Sequence, residues 1–171
     1  MVSKKSEIMR KFSIILAVLT AIIFTGCGPK RSQAFYTAPS QLLSSNYDGS
    51  FVIRVQVRAR TAAIAFTDAQ RKAVEEVIFS GVKSATNGVP DLKPLCFDMN
   101  AREKNEQYFR AFFQDNGPWK EYAGLMDKRV GTTSYQRDGR QSVTTITVSV
   151  NRDALRDRLV RDKIIPAEGR Y

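Results

Sequence analysis

Hydrophobic positions along this chain follow three different rhythms, and each predicts a different element. Residues 12–24 form a mainly apolar run without a charge, interrupted only by Ser13 and Thr20. Residues 28–50 are rich in Ser, Gln, Pro, Asn and Gly, with only scattered apolar positions, and predict a stretch without regular structure. Residues 51–60 alternate, with Ile53, Val55 and Val57 on one side and Arg54, Gln56 and Arg58 on the other, as a half-buried strand does. Over residues 67–83 the period becomes helical. Ala69, Ala73, Val74, Val77, Ile78, Gly81 and Val82 share one side, opposite Arg71, Lys72, Glu75 and Glu76. Thr67 and Gln70 have the spacing of a capping box that opens this helix.

The second half continues in the same terms. Asn87-Gly88-Val89-Pro90 and Pro94 mark residues 84–99 as a turn-rich connection. Asn100, with Glu103 three residues on, predicts an N-cap for a helix whose face carries Tyr108, Phe109, Phe112 and Phe113. Asn116-Gly117-Pro118 ends that helix, and Trp119, Tyr122, Leu125 and Met126 follow in a short helical or looped piece. Residues 128–136 and 141–150 read as two strands joined through Asp138-Gly139, a pair suited to a hairpin turn. In the second strand Ile146, Val148 and Val150 face away from Thr145, Thr147 and Ser149. Asn151 caps a last helix bearing Leu155, Leu159 and Val160, with Asp153, Asp157, Arg158, Arg161 and Asp162 at pairing distances outside and Pro166 at its end. The expected fold is α+β: an antiparallel sheet of three or more strands with helices packed on one face, in a single domain over residues 51–165 with a tail at 166–171.

The start of the chain changes the picture from a fold to an address. Lys4, Lys5, Arg10 and Lys11 precede the apolar run, and Thr25-Gly26-Cys27 closes it. A basic segment, a short apolar segment and small residues before a processing point make a secretory signal peptide over residues 1–26. At 13 residues the run is shorter than the roughly 20 a membrane-spanning helix needs. Phe24-Thr25-Gly26-Cys27 resembles the lipobox of bacterial lipoproteins, with Phe24 where Leu is commoner. That resemblance implies cleavage before Cys27, diacylglycerol on its sulfur, and acyl chains that hold the protein to a membrane. Gly28, rather than Asp, follows the cysteine, which under the sorting pattern of enteric lipoproteins resembles an outer-membrane address facing the periplasm. Residues 27–50 then form a lipidated flexible tether, in which Lys30 and Arg31 lie close to the headgroups. The bland alternative is an ordinary signal peptide with an incidental cysteine.

Charge and cysteines narrow the chemistry. The formal net charge is +10, of which the signal segment contributes three, leaving +7 on residues 27–171. Such basicity favours anionic headgroups or acidic polymers, or, in the plainer reading, simply keeps a membrane-tethered domain soluble. Nucleic acid is not the expected partner of an exported chain. With Cys27 acylated, Cys96 has no partner, and its setting Pro94-Leu95-Cys96-Phe97 reads as a buried small residue. The chain contains no His, which removes Ser-His-Asp triads, Cys-His dyads and His-based metal sites. No cofactor is expected.

The Ala-rich helix (Ala62, Ala65, Ala69, Ala73, Val74, Val77), with Tyr135-Gln136-Arg137-Asp138-Gly139 and the alternation of residues 143–150, resembles the N-terminal domain of the flagellar assembly protein T family and related small periplasmic lipoproteins. The resemblance covers about residues 51–150, and residues 84–126 are longer and more aromatic than the corresponding connection in that family. It implies an Ala-rich helix on an antiparallel sheet, and an assembly role in the envelope.

Chemical motifs are sparse. Ser80-Gly81-Val82-Lys83 has the Ser-x-x-Lys spacing that can set a hydroxyl beside an amine on one helical turn. The better reading is a helix end at Gly81. Glu75 and Glu76 point in diverging directions, and Asp91, Asp98 and Glu103 define no carboxylate pair. The one unusual density is aromatic: Tyr108, Phe109, Phe112, Phe113, Trp119 and Tyr122. It is either a core face or, in the sharper reading, a partner-binding patch of Phe112, Trp119 and Tyr122 rimmed by Arg102 and Arg110. The expected function is therefore a non-catalytic binding or assembly module of the cell envelope with an envelope protein as partner. The alternatives are a small-ligand carrier with an apolar cavity, or a hydrolase using Ser80 and Lys83 or carboxylates.

Overall fold

The alternating strand foreseen at residues 51–60 is the axis of the sheet. The computed structural model describes residues 35–36, 38–126, 136–138 and 141–167. The apolar run, Cys27, residues 127–135 and the tip of the predicted hairpin lie outside the described residues. Within the compact unit Gln33–Tyr171 the strands are β1 (Phe35–Tyr36), β2 (Gln41–Ser45), β3 (Ser50–Ala59), β4 (Lys83–Ser84), β5 (Ala123–Leu125), β6 (Gln136–Asp138) and β7 (Gln141–Asn151). The helices are α1 (Ala62–Phe79), α2 (Ala101–Lys104), α3 (Glu106–Phe112) and α4 (Arg152–Arg161), with a 3-10 turn at Pro118–Tyr122.

The strand order is β4-β2-β3-β7-β5, with β1 added to β3 and β6 to β7. Only β2 and β4 run parallel; the other pairs are antiparallel. In β3 and β7 the register sets Ile53 opposite Val148 and Val55 opposite Ile146. These four side chains are fully buried, while Arg54 is exposed and Thr145, Thr147 and Ser149 are half-buried on the other side. Helix α1 lies on the apolar side against β3, β7 and β5, burying Ala65, Ala69, Ala73, Val74, Val77 and Ile78. The small alanines bring its backbone close to the sheet. Residues from Leu42 to Leu159 supply the core, so this unit closes its own interior. The expected α+β fold is observed, with a mixed, mostly antiparallel sheet in place of a wholly antiparallel one.

Four expectations are corrected. The irregular tether ends well before Ser50: β2 pairs with β3, and Leu42 is 1 % exposed. Its alternation is hidden in sequence because the register shifts between Leu42 and Ser44. Helix α1 begins at Ala62 rather than at Thr67, with Thr61 Oγ1 accepting from the Ile64 amide at 3.3 Å. Alanines 62 and 63 carry the helix back to the earlier cap, since Ala is the strongest helix former. Glu76, expected on the solvated side, is 9 % exposed, and Lys72 sits 3.3 Å from its carboxylate. Asn100 makes no side-chain cap; Asp98 Oδ1 instead accepts from the Asn100 amide at 2.9 Å. At the other end, Asn151 does cap α4, its side chain accepting from the Ala154 amide at 3.0 Å.

Candidate functional site

The aromatic density belongs to the interior. Phe112 and Trp119 are 2 % and 0 % exposed, and Phe109 is buried beside them. Their rings interlock: Phe79 meets Phe109 edge-on at 4.7 Å between centroids, and Phe112 stacks between Tyr108 at 5.7 Å and Tyr122 at 6.2 Å. Burial leaves the indole N–H in need of an acceptor, and Trp119 Nε1 donates to the Gln114 carbonyl at 2.7 Å. Phe112 and Trp119 therefore offer no surface to a partner, which corrects the patch reading. Tyr122 is half-buried against the same core. Arg102 and Arg110 do not form a shared rim. Arg102 pairs with Glu75 and lies 4.6 Å over the Phe79 ring, whereas exposed Arg110 pairs with Glu106 on its own helix.

The nucleophile candidates separate in the same way. Helix α1 stops at Phe79, Ser80 is its C-cap, and Gly81 takes φ +71°. That left-handed residue breaks the helical turn before Lys83, which lies in β4. A Cβ on Gly81 would also come within 3.2 Å of Pro94 N, so this position needs glycine for both space and conformation. The chain returning past Pro94 satisfies the helix end. The Leu95 and Cys96 amides donate to the Val77 and Ile78 carbonyls at 3.0 and 2.8 Å, groups that a helix C-terminus leaves without partners. Cys96 is 5 % exposed. Burial, with Asp98 adding to it, pushes its thiol up to about 11, so it is no nucleophile at neutral pH.

What the fold does assemble is a cleft of about 850 Å³ between the loop after α1 and the last helix. One wall is Pro94 to Asp98 with Lys104 and Asn105; the other is Arg152, Asp153, Arg156 and Asp157 with Ile164 and Ile165. The lining is mixed: apolar patches lie among three cations and three carboxylates. Hydrogen bonds from Lys104 and the Asn100 amide hold the Asp98 carboxyl below the usual carboxylate range. Burial lowers the Arg152 pKa, and its Nε is a buried donor without a hydrogen-bond partner. Phe97 in the cleft wall is 61 % exposed and Met99 just beyond it 97 %. No local motif announces this recess, because its two walls are separated by more than forty residues of sequence. Among the described residues, no group of three His, Cys, Asp or Glu is placed to hold a metal ion, and no helix is long and apolar enough to cross a membrane. No protein-family model, curated protein or solved structure matches this chain.

Proposed function

We propose that this chain is a lipid-anchored binding or assembly module of the bacterial envelope, held at Cys27 to the periplasmic side of the outer membrane and without catalytic activity. The observation that carries the reading is the order of elements at the start: four basic residues, an uncharged apolar run, then Thr25-Gly26-Cys27. Gly28 in the next position favours the outer membrane. Acyl chains contribute roughly 0.8 kcal/mol per buried methylene, so two or three of them give a lasting anchor where one is marginal. The resemblance of residues 51–150 to the flagellar assembly protein T family favours assembly over chemistry. The cleft, with Phe97 and Met99 exposed beside it, supplies the surface for an envelope protein, since aromatic residues and Met are enriched where proteins meet.

The carrier reading takes support from the same cleft, whose volume lies within the range of small-molecule sites. Its charged lining suits a polar ligand with an apolar part better than a wholly apolar one.

Membrane fractionation and intact mass of the wild-type chain beside Cys27→Ala test the anchor. The expected result is a diacyl or triacyl increment on a chain starting at Cys27, and release of the variant from the membrane. A soluble, unmodified wild-type chain would overturn it.

A further inference from the structure

The two sides of the sheet carry charge differently. The described ion pairs belong to the helices and the loops between them: Arg71–Asp115, Lys72–Glu76, Arg102–Glu75, Lys104–Asp98, Arg110–Glu106 and Arg158–Asp162. By contrast, β2, β3, β4 and β7 contain no Asp or Glu at all. On the side away from α1, Lys83, Gln41 and Arg54 stand in one row across β4, β2 and β3. All three are exposed. Arg58 lies four residues along β3 on the same side, and exposed Arg60 follows the end of the strand. Among the described residues, Asp91 binds the Ser84 amide at 2.8 Å beside the β4 edge, and Asp138 in β6 lies on the Arg58 side by register, opposite Gln141 and two strands from β3.

Strand spacing of about 4.8 Å puts Lys83 and Arg54 roughly 10 Å apart, and a rise of about 3.3 Å per residue puts Arg54 and Arg58 roughly 13 Å apart. Cations so spaced cannot converge on one small anion. They match a plane of many negative groups. We propose that this face docks onto anionic lipid headgroups of the membrane that carries the chain. The choice of a membrane over a free polyanion rests on acylation of Cys27, proposed above. Phe35 pairs opposite Arg58 in the sheet, and Cys27 precedes it by eight residues. Eight residues reach at most about 29 Å. An acyl anchor therefore keeps the Arg58 end of the sheet near the headgroups, and small fluctuations bring it within the Debye length of about 8–10 Å where attraction is felt. Each Lys or Arg at such a surface tightens binding about fivefold.

The test uses a chain starting at Gly28, which keeps the whole unit Gln33–Tyr171 and its closed core. It is sedimented with vesicles of phosphatidylcholine alone or of phosphatidylcholine mixed with phosphatidylglycerol. The expected result is binding to the mixed vesicles only, weakened by salt. Arg54→Gln and Lys83→Gln should each loosen it about fivefold, while Arg110→Gln, which removes an exposed cation from α3, leaves it within about twofold. Equal binding to neutral vesicles, equal loss in Arg110→Gln, or full binding by the Arg54→Gln, Lys83→Gln double variant would overturn the proposal. So would tighter binding to soluble polyphosphate than to the mixed vesicles, which would make a free polyanion the occupant. An unmodified Cys27 with vesicle binding intact would remove the anchor and leave the face, so the two readings fail separately.

Discussion

Gly49 and Asp153 touch where the β2–β3 turn meets the first turn of α4. A Cβ placed on Gly49 would lie 2.9 Å from Asp153 Cβ and nearer still to its carboxylate. The Arg152 amide donates to the Gly49 carbonyl at 3.1 Å, and Gly49 itself takes φ +76°. The turn is thereby fastened to the helix that forms one wall of the cleft.

Gly49→Ala should consequently cost stability twice, through backbone strain and through displacement of Asp153. The expected loss is about 1–3 kcal/mol, read from the urea midpoint at unchanged slope. An unchanged midpoint would mean that the turn and α4 are not fastened here.

The aromatic cluster predicts a sharp contrast between neighbours on α3 and the 3-10 turn. Phe112→Ala and Trp119→Ala each empty a fully buried ring site and should cost about 3–5 kcal/mol, a large share of the 5–15 kcal/mol typical of a domain. Arg110→Gln removes only an exposed pair with Glu106 and should stay within about 0.5 kcal/mol. Denaturant unfolding of the three variants checks the order. Near-native stability in Trp119→Ala would contradict its place in the core.

How much of this was legible in the sequence depended on the range of the signal. Periodicity announced β3, α1 and β7, because Ile53, Val55, Ile146 and Val148 repeat at the pleat and the alanines at the helical turn. The Asp138-Gly139 pair announced a hairpin, and β6 does pair with β7, but its described residues begin at Gln136, where the expected strand over 128–136 was to end, and Arg137 and Asp138 belong to the ladder rather than the turn. Strand β2 was illegible because its bulge breaks the alternation after Leu42, although Asn46-Tyr47-Asp48-Gly49 is a turn signal that could have revealed it. Burial of Phe112 and Trp119 was undecidable locally: the same aromatic face serves a core or an interface, and packing chooses. The cleft was out of reach, since only the tertiary fold brings Lys104 and Arg156 to the lining of one recess.

Cys96 gives a prediction for alkaline pH. Burial raises its pKa from about 9.0 to about 11, so the folded state prefers the neutral thiol. The associated stability is complete below the unfolded pKa and is lost as pH rises from about 9.0 through about 11. Cys96→Ala should flatten that part of the stability profile, and native wild type should react slowly with iodoacetamide until urea is added. Fast labelling of the folded chain at neutral pH would show that the thiol is not held in the core.

At acid pH the group to watch is Asp162, which accepts from Tyr108 Oη at 2.8 Å and from Arg158 Nε at 2.6 Å. Burial alone would raise its pKa, but Arg158 and Tyr108 outweigh it and hold the carboxyl below 3.8. The stability this lends is present above the ordinary carboxylate pKa and disappears as pH falls through the depressed one. Tyr108→Phe removes one donor, so the loss on acidification should be smaller in the variant. Identical acid limbs of the two stability profiles would show that the hydroxyl does not act on Asp162.

The last helix ends on a residue that its own backbone disfavours. Beyond α4 the Ile164 amide donates to the Leu159 carbonyl at 2.9 Å and the Lys163 amide to Val160 at 3.0 Å, the paired bonds of a Schellman ending. That ending requires a left-handed residue, and Lys163 supplies it at φ +59°. Its side chain is exposed, so nothing is lost by removing it, while a Cβ in this region costs roughly 1–2 kcal/mol. Glycine relieves the strain but also loosens the unfolded chain, which returns part of the gain. Lys163→Gly should therefore raise stability by a few tenths to about 1 kcal/mol, and Lys163→Ala, which keeps the Cβ, should not. Since Ile164 and Ile165 line the cleft immediately after this turn, a stabilised Lys163→Gly chain would also fix one wall of the recess more firmly. If instead Lys163→Gly unfolds at lower urea than Lys163→Ala, the ending is not under the strain that its backbone angle implies.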